Sequence, residues 1–318
     1  MTGVQMIEVA AADDGLRLDR WFRQHYPQIG HGQLQKMLRK GQVRVDGAKA
    51  EAKTRLAPGQ AVRVPPMPEG PTGIAKAEAA SADREAVRAL VLYEDDEVIA
   101  LNKPFGLPVQ GGSKVTRHVD GMLDGLAKQG ERPRLVHRLD KDTGGVLLLG
   151  RTRLAAKRLA EAFARHEVVK DYWALTKGVP HPLSGLIDQP IEKAGGDGAE
   201  RVAASVSGKR ALTDYQVAES AGTKAAFVAL RPQTGRTHQI RVHLAALGTP
   251  IVGDGKYGGQ DAMLEGLPAK MHLFCRAMRV PRPGRAPLAV TAPLTAHMAT
   301  SWALFGFEMD PQLEWPER

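Results

Sequence analysis

Cysteine is nearly absent: Cys275 is the single thiol in 318 residues. One thiol cannot close an internal disulfide, so the fold must hold without cross-links, as expected in a reducing compartment. A zinc site built on paired cysteines is excluded as well. Long apolar runs are also missing. No stretch approaches the roughly 18 apolar residues that span a bilayer. Met1 to Ala12 lacks the basic region and apolar run of a secretory signal. A cytoplasmic protein with no membrane partner is therefore expected. No internal repeat is visible. Acidic charge is the scarcer sign, with 44 Lys and Arg against 35 Asp and Glu, a formal net charge of +9. Such an excess suits a polyanionic partner, yet many soluble proteins are mildly basic without one, so its position matters more than its sum.

The excess is concentrated. Residues 14–65 carry eleven Lys and Arg against four Asp and Glu. Leu18, Trp21 and Phe22 repeat at helical spacing, as do Leu34, Met37 and Leu38. Arg17, Arg20 and Arg23 fall mostly off the first stripe, and Lys36, Arg39 and Lys40 surround the second. Val43 and Val45 alternate around Arg44, Asp46-Gly47 supplies a turn, and Val62 and Val64 return around Arg63. This pattern predicts two short helices and a β-hairpin over residues 14–66. One basic face would offer Arg17, Lys36, Arg39, Lys40 and Arg44 to RNA phosphates. The plainer alternative is a solvated helix surface.

Residues 67–87, with Pro68, Pro71 and Glu78-Ala-Ala-Ser81, offer little to anchor a core and read as a linker. From residue 88 to about 308 the texture changes. Short apolar strands recur at Leu90–Tyr93, Val98–Leu101, Val146–Leu149, Tyr172–Thr176 and Phe227–Leu230. One amphipathic helix runs from about Arg153 to His166, with Ala155, Leu159, Ala162 and Phe163 inside. Strands without regular strand–helix alternation imply an α+β domain around a largely antiparallel or mixed sheet.

Three segments of this domain concentrate chemistry. In Leu135-Val-His-Arg-Leu-Asp-Lys-Asp-Thr-Gly-Gly-Val146, an apolar strand runs into charged residues and a glycine pair. A carboxylate beside an arginine is kept ionised, and paired glycines admit close approach of another backbone or a substrate. In Lys170-Asp-Tyr-Trp-Ala174, an aromatic pair opens a strand. Gln233-Thr-Gly-Arg-Thr-His-Gln-Ile-Arg-Val-His243 is a donor-rich loop leading into a helix, suited to phosphates and to holding a carboxylate. Each has a structural alternative: Asp140 fixing a turn with Arg138 or Arg241, Tyr172 and Trp173 as core residues, the third segment as a helix cap.

Other signals are weaker. Gly253-Asp-Gly-Lys-Tyr-Gly258 matches a dinucleotide glycine pattern but lacks the strand–helix setting. His238 and His243 have no cysteine or close carboxylate to complete a metal set. Asp140 and Asp142, two apart on a strand, would face one way like a hydrolase pair, without further support.

Taken together, His137-Arg-Leu-Asp140 with Thr143-Gly-Gly145, Tyr172-Trp-Ala174, and Gly235-Arg-Thr-His-Gln-Ile-Arg-Val-His243 resemble the three motifs of the RluA family of pseudouridine synthases. Asn102-Lys-Pro104 with Gly106 resembles the strand–loop that opens the catalytic domain there. Residues 14–66, most clearly Leu38-Arg-Lys-Gly-Gln-Val-Arg-Val45, resemble an S4 RNA-binding domain. With Val109-Gln-Gly-Gly112, the architecture is similar to the RluC-like branch, which acts on large-subunit ribosomal RNA.

The resemblance implies a uridine isomerase with Asp140 as the catalytic carboxylate. Tyr172 would stack on the base and assist removal of the C5 proton, and Arg241 would pair with Asp140. Arg138, Arg236 and His238 would contact RNA. No metal or organic cofactor is required, because the reaction is an isomerisation without redox change. Nothing demands more than a monomer. Transfer RNA as the target, or a ribosome assembly factor with little catalysis, are the alternatives. Two positions depart from the family pattern. Gly144 stands where serine is more frequent and is expected to shape the turn. Phe274 stands where histidine is common and would alter packing beside the uracil.

Overall fold

The structure, a computed structural model, describes residues 3–67, 73–112, 115–194 and 201–315. It divides into two compact units, residues 1–83 with 110–118, and residues 84–109 with 119–318.

In the first unit, β1 (Gln5–Glu8) precedes α1 (Leu18–His25) and α2 (His31–Arg39). A hairpin of β2 (Arg44–Val45) and β3 (Ala48–Lys49) follows, and then β4 (Ala61–Val64). The strands form an antiparallel sheet ordered β1-β4-β2-β3. The apolar stripes of both helices, Leu18, Trp21, Phe22 and Leu34, Met37, Leu38, are buried against Val43, Val45, Leu56, Val62 and Val64. Asp46 and Gly47 turn the hairpin with φ of +49° and +76°. The Asp46 carboxylate accepts the Ala61 N–H at 2.7 Å, which ties the turn to β4. The sequence pattern did not anticipate β1, because its side chains are largely exposed and its pairing to β4 rests on backbone hydrogen bonds.

Within the expected linker over 67–87 the chain forms a helix, α3 (Gly73–Arg88). Its alanines, with Lys76, Glu78, Arg84 and Glu85, are strong helix formers. They lack the apolar periodicity that marks a helix against a core. Pro68 and Pro71 lie outside the described residues.

The second unit holds β5 (Val91–Glu94), β6 (Val98–Lys103), α4 (Val119–Met122), β7 (Arg134–Leu135), β8 (Gly144–Gly150) and α5 (Arg153–Ala164). Next come β9 (Val169–Lys177), β10 (Ser184–Asp188), the hairpin of β11 (Ile191–Lys193) and β12 (Val202–Ala204), β13 (Leu212–Ala221) and β14 (Ala225–Pro232). The chain continues with α6 (Gln239–Ala246), β15 (Leu273–Val280), β16 (Leu288–Thr291) and α7 (Ala296–Phe305). Among the described residues a ten-stranded sheet runs β10-β13-β14-β9-β15-β8-β6-β5, with β16 on β15 and β7 on β8. Every pairing is antiparallel except β8 with β15. This is the α+β, mixed-sheet architecture expected from the strand pattern.

The parallel pairing joins Gly144 to Phe274 and Gly145 to Cys275. Gly145 has φ +108°, and a Cβ there would lie 2.1 Å from the Cys275 carbonyl oxygen. Only glycine fits. At Gly144 the constraint is different from the expected turn geometry: a Cβ would meet the Phe105 ring at 2.6 Å. Phe274 is wholly buried and lies near-parallel to Phe105, with centroids 6.2 Å apart. It belongs to the core, not to a wall beside substrate. The core continues through Trp173, Phe227 and Trp302, packed edge to face at 4.8 and 4.9 Å. The α5 helix starts at Thr152, whose hydroxyl accepts the Ala155 N–H at 3.1 Å, and buries Ala155, Ala156, Leu159 and Ala162.

Candidate active site

Asp140 sits in the connection from β7 to β8. Leu139 is buried beside it, and its own carbonyl accepts the Thr143 N–H at 3.1 Å, closing a tight turn. Asp140 and Asp142 are therefore turn residues and not neighbours on one strand face, and Asp142 is exposed. His137 anchors the approach to the turn. Its Nε2 accepts the Leu148 N–H at 2.8 Å, prolonging the β7–β8 ladder with a side chain, and its ring stacks on Phe163 at 4.4 Å. Burial, reinforced by the Lys170 charge, holds the imidazole down at about 3. His137 is a neutral structural acceptor at physiological pH.

Lys103, at the end of β6, supports the same turn from the core. Its buried ammonium donates to the carbonyls of Pro104 (3.0 Å), Leu107 (2.8 Å) and Lys141 (3.1 Å). Burial lowers it to about 7 against the opposing pull of Asp142 and Asp140. Gly106 also donates its N–H to the Lys141 carbonyl, at 2.9 Å. The Asn102-Lys-Pro-Phe-Gly106 strand–loop and the Asp140 turn are thus bound together by one cation and three carbonyls.

Tyr172 lies on β9, opposite Leu230 of β14 on one side and Cys275 of β15 on the other. Burial is the main reason its phenol stands well above the usual tyrosine range, and Cys275 and Asp140 push it the same way. Tyr172 is therefore protonated at neutral pH, so a role as proton acceptor requires that it first lose its own proton. Burial likewise pushes the Cys275 thiol to about 12, leaving it inert.

The third segment brings Arg241 and His238 to Asp140. Gln239 secures the loop with a fully used buried amide. Its Nε2 donates to the Leu212 carbonyl (2.8 Å) and to Thr213 Oγ1 (2.9 Å). Its Oε1 accepts from Thr234 Oγ1 (2.7 Å) and the Arg236 N–H (3.0 Å). His243 is buried between Thr213 Oγ1 (2.9 Å) and the Gln189 carbonyl (3.0 Å) and serves the scaffold. From α6, Arg241 Nη1 reaches Asp140 Oδ2 at 3.8 Å, and His238 Nε2 reaches the same oxygen at 3.8 Å. Arg241 is held more tightly by Asp254, whose two oxygens take its Nε and Nη2 at 2.7 Å each. Both partners are buried. The guanidinium also lies 4.9 Å from the Tyr257 ring centroid.

Sequence reasoning left Asp254 and Tyr257 unassigned. Both lie in the Gly253–Gly258 segment, where the available signal was an aspartate between two turn glycines. The segment is no phosphate cradle. A Cβ at Gly253 would lie 2.0 Å from the Lys270 carbonyl oxygen, and one at Gly258 would strike Ala262 and Pro250. These glycines serve close packing. Among the described residues no group of three His, Cys, Asp or Glu is placed to hold a metal.

Of the other candidates, Arg138 and Arg236 are exposed, and Arg236 Nε donates to the Arg210 carbonyl at 3.2 Å. In the first unit Arg17, Lys36, Arg39, Lys40 and Arg44 are all exposed. Arg17 is tied to Asp19 at 2.7 Å, and Arg44 donates to the carbonyls of Gly41 and Gly47.

Comparison with known proteins decides the family to which the chain belongs. Residues 97–246, which include Asp140, Tyr172 and Arg241, match the RNA pseudouridylate synthase family. Ribosomal large subunit pseudouridine synthase C of Rickettsia typhi is 35% identical over 83% of this chain and 88% of its own length. The chain belongs to the RNA pseudouridylate synthase family. The Salmonella typhi protein of the same name is 36% identical over 81% of each chain. A solved human structure, RNA pseudouridylate synthase domain containing 4, superposes with a TM-score of 0.62 at 32% identity, covering 74% of this chain and all of that one. The pseudouridine synthase fold accounts for the mixed sheet, with Tyr172 on a central strand and Asp140 in the turn that leads into β8.

Proposed function

We propose that this pseudouridine synthase converts specific uridines of large-subunit ribosomal RNA to pseudouridine, with Asp140 as the catalytic carboxylate. The observation that carries the reading is that Arg241 and His238, about a hundred residues along the chain from Asp140, each come within 4 Å of the same Asp140 carboxylate oxygen. The target is supported by the named activity of the relatives, ribosomal large subunit pseudouridine synthase C.

The reaction breaks the N1–C1′ bond, turns the base and joins C5 to C1′; C5 gives up a proton and N1 gains one. The uridine must leave its stack to be reached. Asp140 acts as nucleophile or base, Tyr172 packs against the flipped base, and Arg241 holds the carboxylate ionised. Arg138 and Arg236 contact the RNA backbone. The first unit acts as an S4-like RNA-binding domain over residues 14–66, joined to a catalytic domain over 88–308, and the enzyme works as a cytoplasmic monomer. Among the described residues no helix is long and apolar enough to cross a membrane.

Chemical mapping of pseudouridine in ribosomal RNA from cells with and without the gene tests this reading. Sites should vanish without it and return with the parent protein but not with Asp140→Asn. Losses confined to transfer RNA would move the target, and no change in either RNA would overturn the reading.

A further inference from the structure

His238 opens α6 with φ +55° and ψ +17°, a left-handed conformation that residues bearing a Cβ seldom adopt. Strain of this kind persists where the surrounding structure enforces it. The imidazole does not cap the helix. Its Nδ1 lies 2.7 Å from the Tyr257 hydroxyl, and its Nε2 faces Asp140 Oδ2 at 3.8 Å. The ring is only 8% exposed, which suits it poorly to meeting phosphates along an RNA backbone.

The Tyr257 hydroxyl already accepts the Val202 N–H at 3.2 Å, and burial raises its phenol above the ordinary range. It keeps its proton, and with one lone pair taken by the Val202 N–H its O–H can be donated to Nδ1. An imidazole that accepts at Nδ1 carries its own proton on Nε2, the nitrogen turned toward Asp140. Tyr257 is fixed from two further sides. Asp254 Oδ1 accepts its backbone N–H at 3.2 Å, and the Arg241 guanidinium rests over its ring. Asp254 thus positions both groups that approach Asp140: Arg241 directly, and His238 through Tyr257.

We propose that Tyr257 and His238 form a hydrogen-bonded relay that aims the Nε2–H of a neutral imidazole at Oδ2 of Asp140, making both positioning residues for the catalytic carboxylate. This rests on the reading of Asp140 as the catalytic residue of a pseudouridine synthase. It replaces phosphate contact as the role of His238. Arg241 supplies charge; the relay supplies direction. At 3.8 Å neither donor has closed a hydrogen bond, and catalytic hydrogen bonds of this kind tighten when substrate binds.

The test uses full-length protein with ¹⁵N-labelled histidine. Long-range ¹H–¹⁵N correlation reads the imidazole nitrogens at neutral pH, and loss of a signal in His238→Gln assigns His238. The parent should show a protonated Nε2 and a bare Nδ1. Tyr257→Phe keeps the ring beneath Arg241 and removes only the hydroxyl. It should mix the tautomers and lower kcat on a ribosomal RNA transcript about tenfold, with Kd for RNA unchanged. His238→Gln, whose amide can still donate to Asp140, should retain more turnover than His238→Phe. A protonated Nδ1 in the parent, or a tautomer indifferent to Tyr257→Phe, would overturn the relay. So would a raised Kd with kcat intact, which would return His238 to RNA binding. Should the parent form no pseudouridine in ribosomal or transfer RNA, the functional reading fails, while the tautomer still decides the relay.

Discussion

The guanidinium of Arg241 is gripped by Asp254, at 2.7 Å through both Nε and Nη2, and only approaches Asp140, at 3.8 Å. The division is chemically sensible. A bidentate pair fixes the arginine as a rigid cation, and the remaining nitrogen favours the ionised form of the Asp140 carboxylate without locking it. Asp254→Asn leaves a buried guanidinium without its counter-charge and should cost about 3–5 kcal/mol, read from denaturant midpoints. Turnover should fall with it. A midpoint equal to the parent's would show that the pair carries no such weight.

Arg241→Ala, by contrast, acts on Asp140 through charge. Removing the cation should move the acid limb of the pH–rate profile to higher pH and cut kcat more than RNA affinity. A profile that overlays the parent's would dissociate Arg241 from Asp140.

Asp140→Asn preserves shape and removes the charge. RNA binding in a filter or gel assay should stay within a few-fold of the parent, while pseudouridine formation, followed by release of tritium from C5-labelled uridine, should disappear. Normal turnover in this variant would refute the assignment of Asp140.

The two motif glycines and Gly235 should respond differently to alanine. Gly145→Ala places a methyl group 2.1 Å from a backbone oxygen at positive φ and should cost on the order of 4 kcal/mol or prevent folding. Gly144→Ala strikes the Phe105 ring, so Phe105→Leu should restore part of its loss in a double-mutant cycle. Gly235, with nothing within 4 Å of its added Cβ, should tolerate alanine within about 0.5 kcal/mol. Thermal melts of the set check the order.

Acid should destabilise the fold through its buried imidazoles. His272 is held at about 4 by burial and the neighbouring His297, and His137 at about 3, both from an ordinary 6.5. Below pH 6.5 the unfolded chain binds protons that the folded imidazoles refuse, so stability falls as pH falls. The His272 contribution levels off near pH 4 and that of His137 near pH 3, each with a limiting slope of about 1.4 kcal/mol per pH unit. His272→Gln, which can still bond Ser301, should lessen the slope between pH 6 and 4 by about one proton. Urea titrations across that range measure it.

The basic face of the first unit makes a separate prediction. Neutralising Lys36, Arg39 and Lys40 together to Gln should weaken RNA binding and lower the slope of log Kd against log salt by about two to three, because fewer counterions are released. An unchanged slope would place the RNA elsewhere.

Much of this was legible beforehand because it is written locally. Helical spacing in Leu18, Trp21, Phe22 and in Leu34, Met37, Leu38 marked two helices that bury those residues, and alternation around Arg44 with Asp46-Gly47 marked the hairpin. β1 and α3 were missed for one physical reason: neither shows a strong apolar periodicity. The first is held by backbone pairing to β4, and the second is written in alanine-rich sequence of high helix propensity, with Val87 at its end buried in the core. The packing role of Gly253 and Gly258 was not legible, because glycine demanded by packing and glycine demanded by a phosphate are identical in sequence.

The sequence by itself determined the chemical groups and their family: the Asp140 turn, the Tyr172 strand, the Arg241 loop and the one-signed charge of residues 14–65. Each is a local pattern, set by spacing and side-chain type. Tertiary structure alone decided who holds whom. That Arg241 belongs first to Asp254, that Phe105 dictates Gly144, that Phe274 is core, and that Tyr257 orients His238 toward Asp140 all depend on side chains distant in sequence. Packing and hydrogen-bond geometry join them, and neither is encoded in any single segment.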